Sequence, residues 1–330
     1  MPGHGHVGLD IGNTRLTVAA ADEHGTLLAK LQERAPASGS AEAALPVLYA
    51  LTDQAITALR DSGRDLRAIG LGFGGPVDMA HGTVRCSFHS ARWNGLALGR
   101  LFAARYGAPS VLDNDANAGG LGEALFGAGR GASSLLYVNV GTGIGGAVIL
   151  DGAIHHGATS SAGEIGHVCV DPAGPLCNCG RRGCLEAISS GTAIARRARE
   201  LLASDEGATS SLAPLADTVR SEQVTRAAGA GDPLARRIVD AAGTALGLAI
   251  ANVVSVLDPH LVVIGGGLSE AGEVFLSPVR QAFATYAAPP ACDETRIVPA
   301  ELGYDAGVRG AVALAMTAGR SDNGAEGDHA

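Results

Sequence analysis

The stretch LLYVNVGTGIGGAVIL, residues 135–150, indicates the fold class of this chain. Its apolar run Leu135–Val140 predicts a strand, a glycine-rich turn with one threonine follows, and Ala147–Leu150 predicts a returning strand. The same design occurs near the start of the sequence, where the predicted strand Val7–Asp10 leads into a glycine–threonine turn and a second strand. This internal repetition predicts a duplicated α/β fold with two similar halves.

Both turns have the composition of a phosphate-binding site. Backbone amides and a threonine hydroxyl can donate hydrogen bonds to phosphate oxygens, and a carboxylate that ends the preceding strand can hold Mg2+ through water. Taken alone, each turn also fits an ordinary hairpin, but two such turns favour the phosphates of a nucleotide. The residues concerned are Asp10, Gly12, Asn13 and Thr14 in the first turn and Thr142 and Gly143 in the second.

Two further glycine loops follow predicted buried strands. Gly265, Gly266 and Gly267 stand between an apolar strand and a helix, where a flat ligand such as adenine could lie against the backbone. Gly75 lies in a similar loop, GGPVD, which can bring its backbone close to a ligand. A plain strand–helix loop and a plain turn are the alternative interpretations of these two segments.

The segment DNDAN, residues 113–117, connects a short strand to a helix. At such a junction Asp115 can take a proton from a substrate hydroxyl, and Asn114 can fix the same hydroxyl in place. The alternative is an N-cap, a common role for aspartate and asparagine at the start of a helix.

Three cysteines and one histidine form the most specific cluster in the sequence. Three thiolates and one imidazole make a closed tetrahedral set, which is typical of a structural rather than a catalytic zinc ion. A loop of free thiols is the alternative interpretation. The four predicted ligands are His167, Cys177, Cys179 and Cys184.

Glu164 and Glu186 flank this cluster, and folding around zinc would bring both carboxylates near His167. Two fixed acceptors beside an imidazole suit the hydroxyl groups of a sugar, which need several hydrogen bonds of defined direction. Two ordinary surface glutamates would give the same sequence pattern.

The composition narrows the functional classes. A chain of 330 residues with 46% hydrophobic and 17% charged residues predicts a globular protein of about two domains. The net charge of −9 and the absence of a dense Lys/Arg run argue against a nucleic acid as partner. The single lysine, Lys30, has no glycine loop beside it, which argues against mechanisms that need a catalytic lysine.

The N-terminal segment does not predict a secretory signal, because it lacks a charged start and a long apolar core. The most apolar helical run, Leu246–Leu257, is too short to span a bilayer. With cysteines outside the cluster that show no pairing pattern, we expect a cytoplasmic protein with no membrane partner.

Taken together, these motifs resemble the ROK family of sugar kinases and repressors, within the actin–hexokinase–Hsp70 superfamily, and its glucokinases in particular. The resemblance covers nearly the whole chain, and its cysteine motif is highly specific. The matching motifs are LDIGNTR (Leu9–Arg15), DNDAN (Asp113–Asn117), VGTGIGG (Val140–Gly146), EIGH (Glu164–His167), CNCGRRGCLE (Cys177–Glu186) and LDPHLVVIGGGLS (Leu257–Ser269).

The resemblance implies an α/β fold of two RNase H-like domains around a central cleft. The expected domains are residues 1–116 together with a closing helix over 306–318, and residues 117–305 with the zinc motif. Residues 319–330 are expected to be a disordered tail. The family is typically dimeric or tetrameric, so a homodimer or homotetramer is expected.

The resemblance also assigns roles. Asp115 would be the general base that takes the proton of the sugar 6-hydroxyl while that oxygen attacks the γ-phosphate of ATP. His167 would hold zinc through one ring nitrogen and face the sugar with the other. The sugar positions would be Gly75, Asn114, Asp115, Glu164, His167 and Glu186, and the ATP and Mg2+ positions Asp10, Gly12, Asn13, Thr14, Thr142, Gly143, Gly265, Gly266 and Gly267.

Some positions depart from the family's usual pattern. Asn13 replaces a glycine and Arg15 a lysine, and Asp113 stands where glutamate is usual. Before Trp93 the usual asparagine is missing, and His89 or Ser90 would replace it as a sugar contact. These departures keep alternatives to glucose open: an amino or N-acyl hexose such as N-acetylmannosamine, N-acetylglucosamine or 3-amino-3-deoxyglucose.

Three rival functions follow from the same resemblance. A catalytically inactive sugar-binding sensor would explain the departures, although Asp115 and both glycine–threonine turns favour an active kinase. A DNA-binding repressor is not expected, because the first loop begins ten residues from the start of the sequence. Polyphosphate as the donor would favour a basic groove, and no basic run is present.

Overall fold

The computed structural model describes residues 3–87 and 90–321 and divides the chain into two compact units. Unit 1 comprises Met1–Gly131, Gly152–Ala162 and Asp305–Ala330, and unit 2 comprises Ala132–Asp151 and Gly163–Tyr304. Phe88, His89 and residues 322–330 of the predicted tail lie outside the described residues.

The first half of the described chain contains most of unit 1. Its strands and helices are β1 (Gly3–Ile11), β2 (Arg15–Asp22), β3 (Leu27–Arg34), α1 (Ala41–Asp61), β4 (Arg64–Phe73), β5 (Val77–Asp78), β6 (Thr83–Val84), α2 (Leu98–Tyr106), β7 (Ser110–Asn114) and α3 (Asp115–Phe126).

The remaining elements are β8 (Ser134–Val140), β9 (Ile144–Leu150), β10 (Ala153–Ile154), α4 (Glu186–Ser189), α5 (Gly191–Leu202), α6 (Ser221–Gly229), α7 (Pro233–Leu257), β11 (Leu261–Gly265), α8 (Glu273–Tyr286), α9 (Ala291–Glu294), β12 (Arg296–Pro299) and α10 (Ala306–Ser321). Short 3-10 turns connect several of them.

The sheet of unit 1 has the strand order β3-β2-β1-β4-β7. The hairpin strands β1, β2 and β3 pair antiparallel, while β4 and β7 continue the sheet in parallel with β1. Alternate residues of β1 face opposite sides of the sheet. Val7 and Leu9 join the core with Leu48 and Leu59 of α1, and each fully buried leucine contributes about 1.5–3 kcal/mol by apolar burial.

Helix α10 packs against the other face of this sheet so closely that backbone lies next to backbone. A Cβ atom on Gly70 of β4 would lie 1.9 Å from the carbonyl oxygen of Ala311 in α10. A Cβ atom on Gly310 would lie 1.9 Å from the carbonyl oxygen of Ala118 in α3. Side chains at these two positions would therefore push α10 away from β4 and α3, which explains why both are glycine. Lys30 of β3 pairs with Asp305, just before α10.

The packing of α3 on α10 places the unit boundary differently from the sequence prediction. The boundary expected after residue 116 falls inside α3, and the structure keeps the whole of this helix in unit 1. The contacts responsible join residues about 190 positions apart in sequence, so no local pattern indicates them. Helix α10 also continues to Ser321, three residues beyond the predicted end at 318.

Unit 2 repeats the plan of unit 1. Its strands β9-β8-β11-β12 lie side by side in that order, with β8 and β9 antiparallel and β11 and β12 parallel to β8. The hairpin β8–β9 thus corresponds to β1–β2, and β11 and β12 correspond to β4 and β7. The internal repetition seen in the sequence is a repetition of sheet topology.

Helix α7 forms the centre of the helical layer of unit 2. Asp232 caps it, accepting a hydrogen bond from the Ala235 amide at 2.9 Å, and Pro233 occupies its first position, where proline is favoured. Among the described residues it is the one helix long and apolar enough to cross a membrane, but more than half of its most apolar window is buried. The run Leu246–Leu257 is therefore part of a longer helix, and its burial in the core, not its length, argues against a membrane span.

Candidate functional site

Two carboxylates of unit 1 meet where β1 ends and α3 begins. Asp10 lies under the start of α10, where a Cβ atom on Gly307 would be 2.7 Å from its Oδ2 atom. Burial, and then the negative charge of Asp115, raise the pKa of Asp10 to about 7. At neutral pH a good fraction of Asp10 therefore keeps its proton until a cation arrives, which suits a residue that helps to hold Mg2+.

The raised pKa makes the stability of the ligand-free protein depend on pH. The folded pKa lies above the ordinary value of 3.8 for an aspartate, so the folded state holds the proton between about pH 4 and 7 and loses stability as the pH rises through that window. Replacing Asp10 by Asn removes this cost, and we expect roughly 1–3 kcal/mol of added stability at pH 8. Calorimetric unfolding at pH 6 and 8, without Mg2+ or nucleotide, measures it.

The exposed residue Asp65 provides the matched control, and Asp65→Asn should leave the pH dependence unchanged. If Asp10→Asn kept the pH dependence of the wild-type protein between pH 6 and 8, a different group would be titrating. The expected gain in stability comes with a loss of activity, since the proposed Mg2+ position needs the carboxylate.

Asn114, not Asp115, caps helix α3. Its Oδ1 atom accepts hydrogen bonds from the amides of Ala116 at 2.9 Å and Asn117 at 3.4 Å. Its Nδ2 atom donates to the carbonyl oxygen of Gly75 at 3.2 Å. Three predicted sugar positions, Gly75, Asn114 and Asp115, are thus brought together. Asp115 occupies the first helical position, where the helix N-terminus stabilises negative charge.

Sequence reasoning missed His156. Its Nε2 atom lies 2.8 Å from Oδ2 of Asp113, a carboxylate that is 1% exposed. His156 belongs to the segment 152–162, which joins unit 1 although unit 2 residues flank it in sequence. No spacing pattern links residues 113 and 156, and the only sequence signal was that a buried carboxylate needs a donor.

In unit 2 the second glycine–threonine turn meets a predicted sugar residue. Oε2 of Glu186 accepts a hydrogen bond from the Ile144 amide at 2.9 Å, and a Cβ atom on Gly143 would lie 2.5 Å from the same oxygen. On the other side, a Cβ atom on Gly166, in the turn between Glu164 and His167, would lie 2.2 Å from the Ile144 carbonyl oxygen. The first residue of β9 therefore connects the two predicted sugar segments to the phosphate turn.

Helix α5 holds the same turn through hydrogen bonds from its N-terminus. Its N-terminal amides are not all used within the helix, and two of them bind the turn: Gly191 donates to Gly141 at 2.9 Å and Thr192 to Thr142 at 3.3 Å. The hydroxyl of Thr192 donates to the Thr142 carbonyl oxygen at 2.8 Å. Backbone and side chain of α5 together set the position of Thr142.

We therefore expect Thr192→Val, which keeps the shape and removes the hydroxyl, to raise KM for ATP about three- to tenfold, the effect of one lost hydrogen bond. KM for the sugar should change little, because Glu186 keeps its own contact with the turn. Steady-state kinetics with each substrate varied separately measure this. Thr192→Ser should restore the wild-type KM, and a failure of serine to do so would refute the role of the hydroxyl.

Packing within unit 2 explains two of the three glycines after β11. A Cβ atom on Gly265 would lie 2.6 Å from the Tyr137 hydroxyl, and one on Gly266 would lie 2.5 Å from the Val140 carbonyl oxygen. Gly266 also has a φ of +85°. A Cβ atom on Gly267 would have no neighbour within 4 Å. The loop therefore leaves space for a ligand at Gly267. Packing within unit 2 already requires glycine at positions 265 and 266, whether or not a ligand binds.

The four predicted zinc ligands converge on one point of unit 2. Their ligand atoms all lie within 4.8 Å of one another. Sγ of Cys179 is 3.6 Å from Sγ of Cys184, and Sγ of Cys177 is 3.8 Å from Nδ1 of His167. A tetrahedron with Zn–S bonds of about 2.3 Å has edges of about 3.8 Å between sulfurs, so the donor set fits zinc.

Cation-free, these thiols ionise very differently. A hydrogen bond from the Arg181 amide lowers the pKa of Cys179 to about 6. Burial raises the pKa of Cys177 and raises the pKa of Cys184 to about 12. Three neighbouring thiolates need a cation between them, and zinc would supply it. Gly183 shapes the loop, since its φ is +71° and a Cβ atom there would lie 1.6 Å from the Asp171 carbonyl oxygen.

Comparison with known proteins places the chain in a family. The sequence profile of the ROK family matches residues 6–318. The chain belongs to the ROK family. It is 38% identical to a glucokinase of Halalkalibacterium halodurans, over 92% of this chain and 93% of that protein. A kanosamine kinase of Amycolatopsis mediterranei is 32% identical, over 94% of this chain and 95% of that protein.

A solved ROK glucokinase from Streptomyces griseus, in complex with glucose and AMPPNP, superposes with a TM-score of 0.79. It is 33% identical, and the match covers 95% of this chain and 99% of that one. The predicted α/β fold class of the ROK and hexokinase type is therefore confirmed.

In this ROK protein the departure at Asn13 needs no unusual backbone. Among the described residues other than glycine, positive φ occurs at Asp151, Ser160 and Asp258 and not at Asn13. Asn13 therefore fits the turn in a conformation that does not require glycine. Ser90 precedes the turn of Trp93, and its amide lies 3.4 Å from the Ser87 hydroxyl, whereas His89 lies outside the described residues.

Proposed function

We propose that this protein is an ATP-dependent hexose kinase that transfers the γ-phosphate of ATP to the 6-hydroxyl of glucose. One observation carries the proposal: Asp10, a carboxylate suited to Mg2+, and Asp115, one suited to proton transfer, lie at the same corner of unit 1. A Cβ atom on Gly74 would be 3.5 Å from Oδ2 of Asp115 and 3.7 Å from the carbonyl oxygen of Ile11, the residue after Asp10, and the charge of Asp115 helps to raise the pKa of Asp10. Glucokinases at up to 38% identity over most of the chain support ATP and a hexose as ligands.

In the proposed reaction Asp115 accepts the proton of the sugar 6-hydroxyl as that oxygen attacks the γ-phosphorus and ADP leaves. Mg2+ bound with ATP would neutralise phosphate charge, and Asp10 would help to hold it through water. The amides and hydroxyls around Thr14 and Thr142 would bind the phosphates, and Gly267 leaves space for the nucleoside. Asn114 and the carbonyl side of the Gly75 loop would orient the sugar beside Asp115.

We further propose that zinc orients the sugar-binding histidine. Nδ1 of His167 faces Cys177, so zinc would take Nδ1 and leave Nε2 for a sugar hydroxyl. Glu186 would offer the sugar its Oε1 atom, because Oε2 is bound to the Ile144 amide. Glu164 would complete the sugar set. Cytoplasmic location and a homodimeric or homotetrameric state are part of the same proposal.

An amino hexose is the second candidate substrate. The similarity to a kanosamine kinase favours it, together with the altered loop before Trp93. An ADP-release assay with ATP and Mg2+ across glucose, mannose, N-acetylmannosamine, N-acetylglucosamine, glucosamine and 3-amino-3-deoxyglucose separates the candidates. Turnover highest with glucose supports the proposal, whereas preference for an amino sugar replaces its substrate. Sugar binding by calorimetry with no turnover of any sugar would instead indicate a sensor.

A further inference from the structure

The carboxylate of Asp113 is buried and fully bonded, yet it has no part in the reaction proposed above. Its Oδ1 atom accepts hydrogen bonds from the Asn114 amide at 2.7 Å and from Nδ2 of Asn117 at 2.9 Å. Its Oδ2 atom is 2.8 Å from Nε2 of His156. A carboxylate at this depth without a donor for one of its oxygens would be costly, so His156 supplies a bond that the site needs.

The three bonds hold the strand–helix junction at three points. The Asn114 amide is the last of β7, and the Asn117 side chain lies on the first turn of α3. Asp115 stands between these two residues in sequence. A rotation of the Asp113 carboxylate would therefore strain hydrogen bonds on both sides of Asp115.

His156 is itself held in a closed turn. The Ala162 amide donates to the His156 carbonyl oxygen at 3.2 Å, and Gly157 between them has a φ of +69°. Because a carboxylate only accepts hydrogen bonds, Nε2 of His156 must carry a proton in this contact. The turn therefore holds the backbone of His156, and Asp113 holds its ring.

We infer that His156 is a positioning residue for the general base: through Asp113 it fixes the junction from which Asp115 reaches the sugar hydroxyl. This inference rests on the proposed kinase function. A general base must lie within hydrogen-bond reach of the proton it takes, and small displacements are costly in rate. Loss of His156 should therefore lower kcat, while the phosphate turn of unit 2 keeps its own contacts.

The test compares three variants of the full-length enzyme with its best sugar from the panel. His156→Leu removes the donor, and we expect kcat to fall about 10- to 100-fold. The affinity for AMPPNP, measured by calorimetry, should stay within twofold of the wild type. His156→Gln places an amide N–H near the position of Nε2 and should restore kcat to within about threefold. His155 is an exposed histidine next to His156, so His155→Ala is the matched control and should change neither kcat nor the affinity for AMPPNP.

A kcat of His156→Leu equal to that of His155→Ala would overturn the inference and leave the kinase proposal standing. An equal loss of AMPPNP affinity, or a loss that glutamine does not restore, would also overturn it, because either points to general loss of structure. Absence of turnover in the wild-type protein would overturn both proposals. If His156→Leu does not fold, His156→Asn, whose side chain is too short to reach Asp113, takes its place with the same expectations.

Discussion

Replacing Asp115 by Asn should cut kcat by on the order of a thousandfold and leave sugar affinity near that of the wild type, as expected for the loss of a general base. Asparagine keeps the size of the side chain, so it fits the same space beside Gly74, where a Cβ atom would lie 3.5 Å from Oδ2 of Asp115. The sugar would still meet Asn114, but its 6-hydroxyl would have no carboxylate to take its proton. Assays of ADP release measure the loss of kcat, and calorimetry measures the sugar affinity, so the two effects are separated.

The same substitution has a second expected result. The charge of Asp115 helps to raise the pKa of Asp10, so Asp115→Asn should lower the pKa of Asp10 and weaken the pH dependence of stability between pH 6 and 8. Asp65→Asn, an exposed carboxylate of unit 1, is the control for both measurements. Turnover in Asp115→Asn within tenfold of the wild type would exclude Asp115 as the base.

The local elements of the fold could be predicted because each depends on neighbours in sequence. The hairpin β8–β9 follows from an apolar alternation around a glycine turn, and α7 begins where Asp232 and Pro233 indicate a start. The unit boundary could not be predicted this way. The boundary depends on the close packing of α10 against α3. The facing glycines Gly122 and Gly310 allow this packing, but their pairing can be recognised only in the folded structure.

In the candidate site, too, features formed by residues close in sequence could be predicted, and contacts between distant residues could not. The four zinc ligands and the DNDAN segment were visible because residues that act together lie close in sequence. The hydrogen bonds that position these residues were not visible in the sequence. Glu186 meets Ile144 across 42 residues and His156 meets Asp113 across 43, and neither pair has a spacing pattern that indicates contact. The role of Asn114 was also only partly visible, since an aspartate and an asparagine competed for one cap and only the backbone geometry decides between them.

Replacing Cys179 by Ser should release zinc and weaken sugar binding, with both effects measured on the same preparation. Serine is a poor zinc ligand, and without the metal the remaining thiols Cys177 and Cys184 stay protonated at neutral pH because burial raises their pKa. His167 would then lose the bond that fixes its ring. We expect zinc content to fall from one equivalent towards zero, and sugar affinity to fall about tenfold, as for the loss of an orienting partner.

Cys169→Ser is the matched control for this prediction. Cys169 is an exposed thiol two residues after His167, and it is not one of the four converging ligands. Its replacement should leave zinc content, melting temperature and sugar affinity unchanged. Cys179 is also exposed, so its serine variant opens no cavity in the core, and a fall in stability there reports the metal. A folded, zinc-free wild-type protein with full activity would show that the four residues are a free-thiol loop, and His167 would then need another explanation for its orientation.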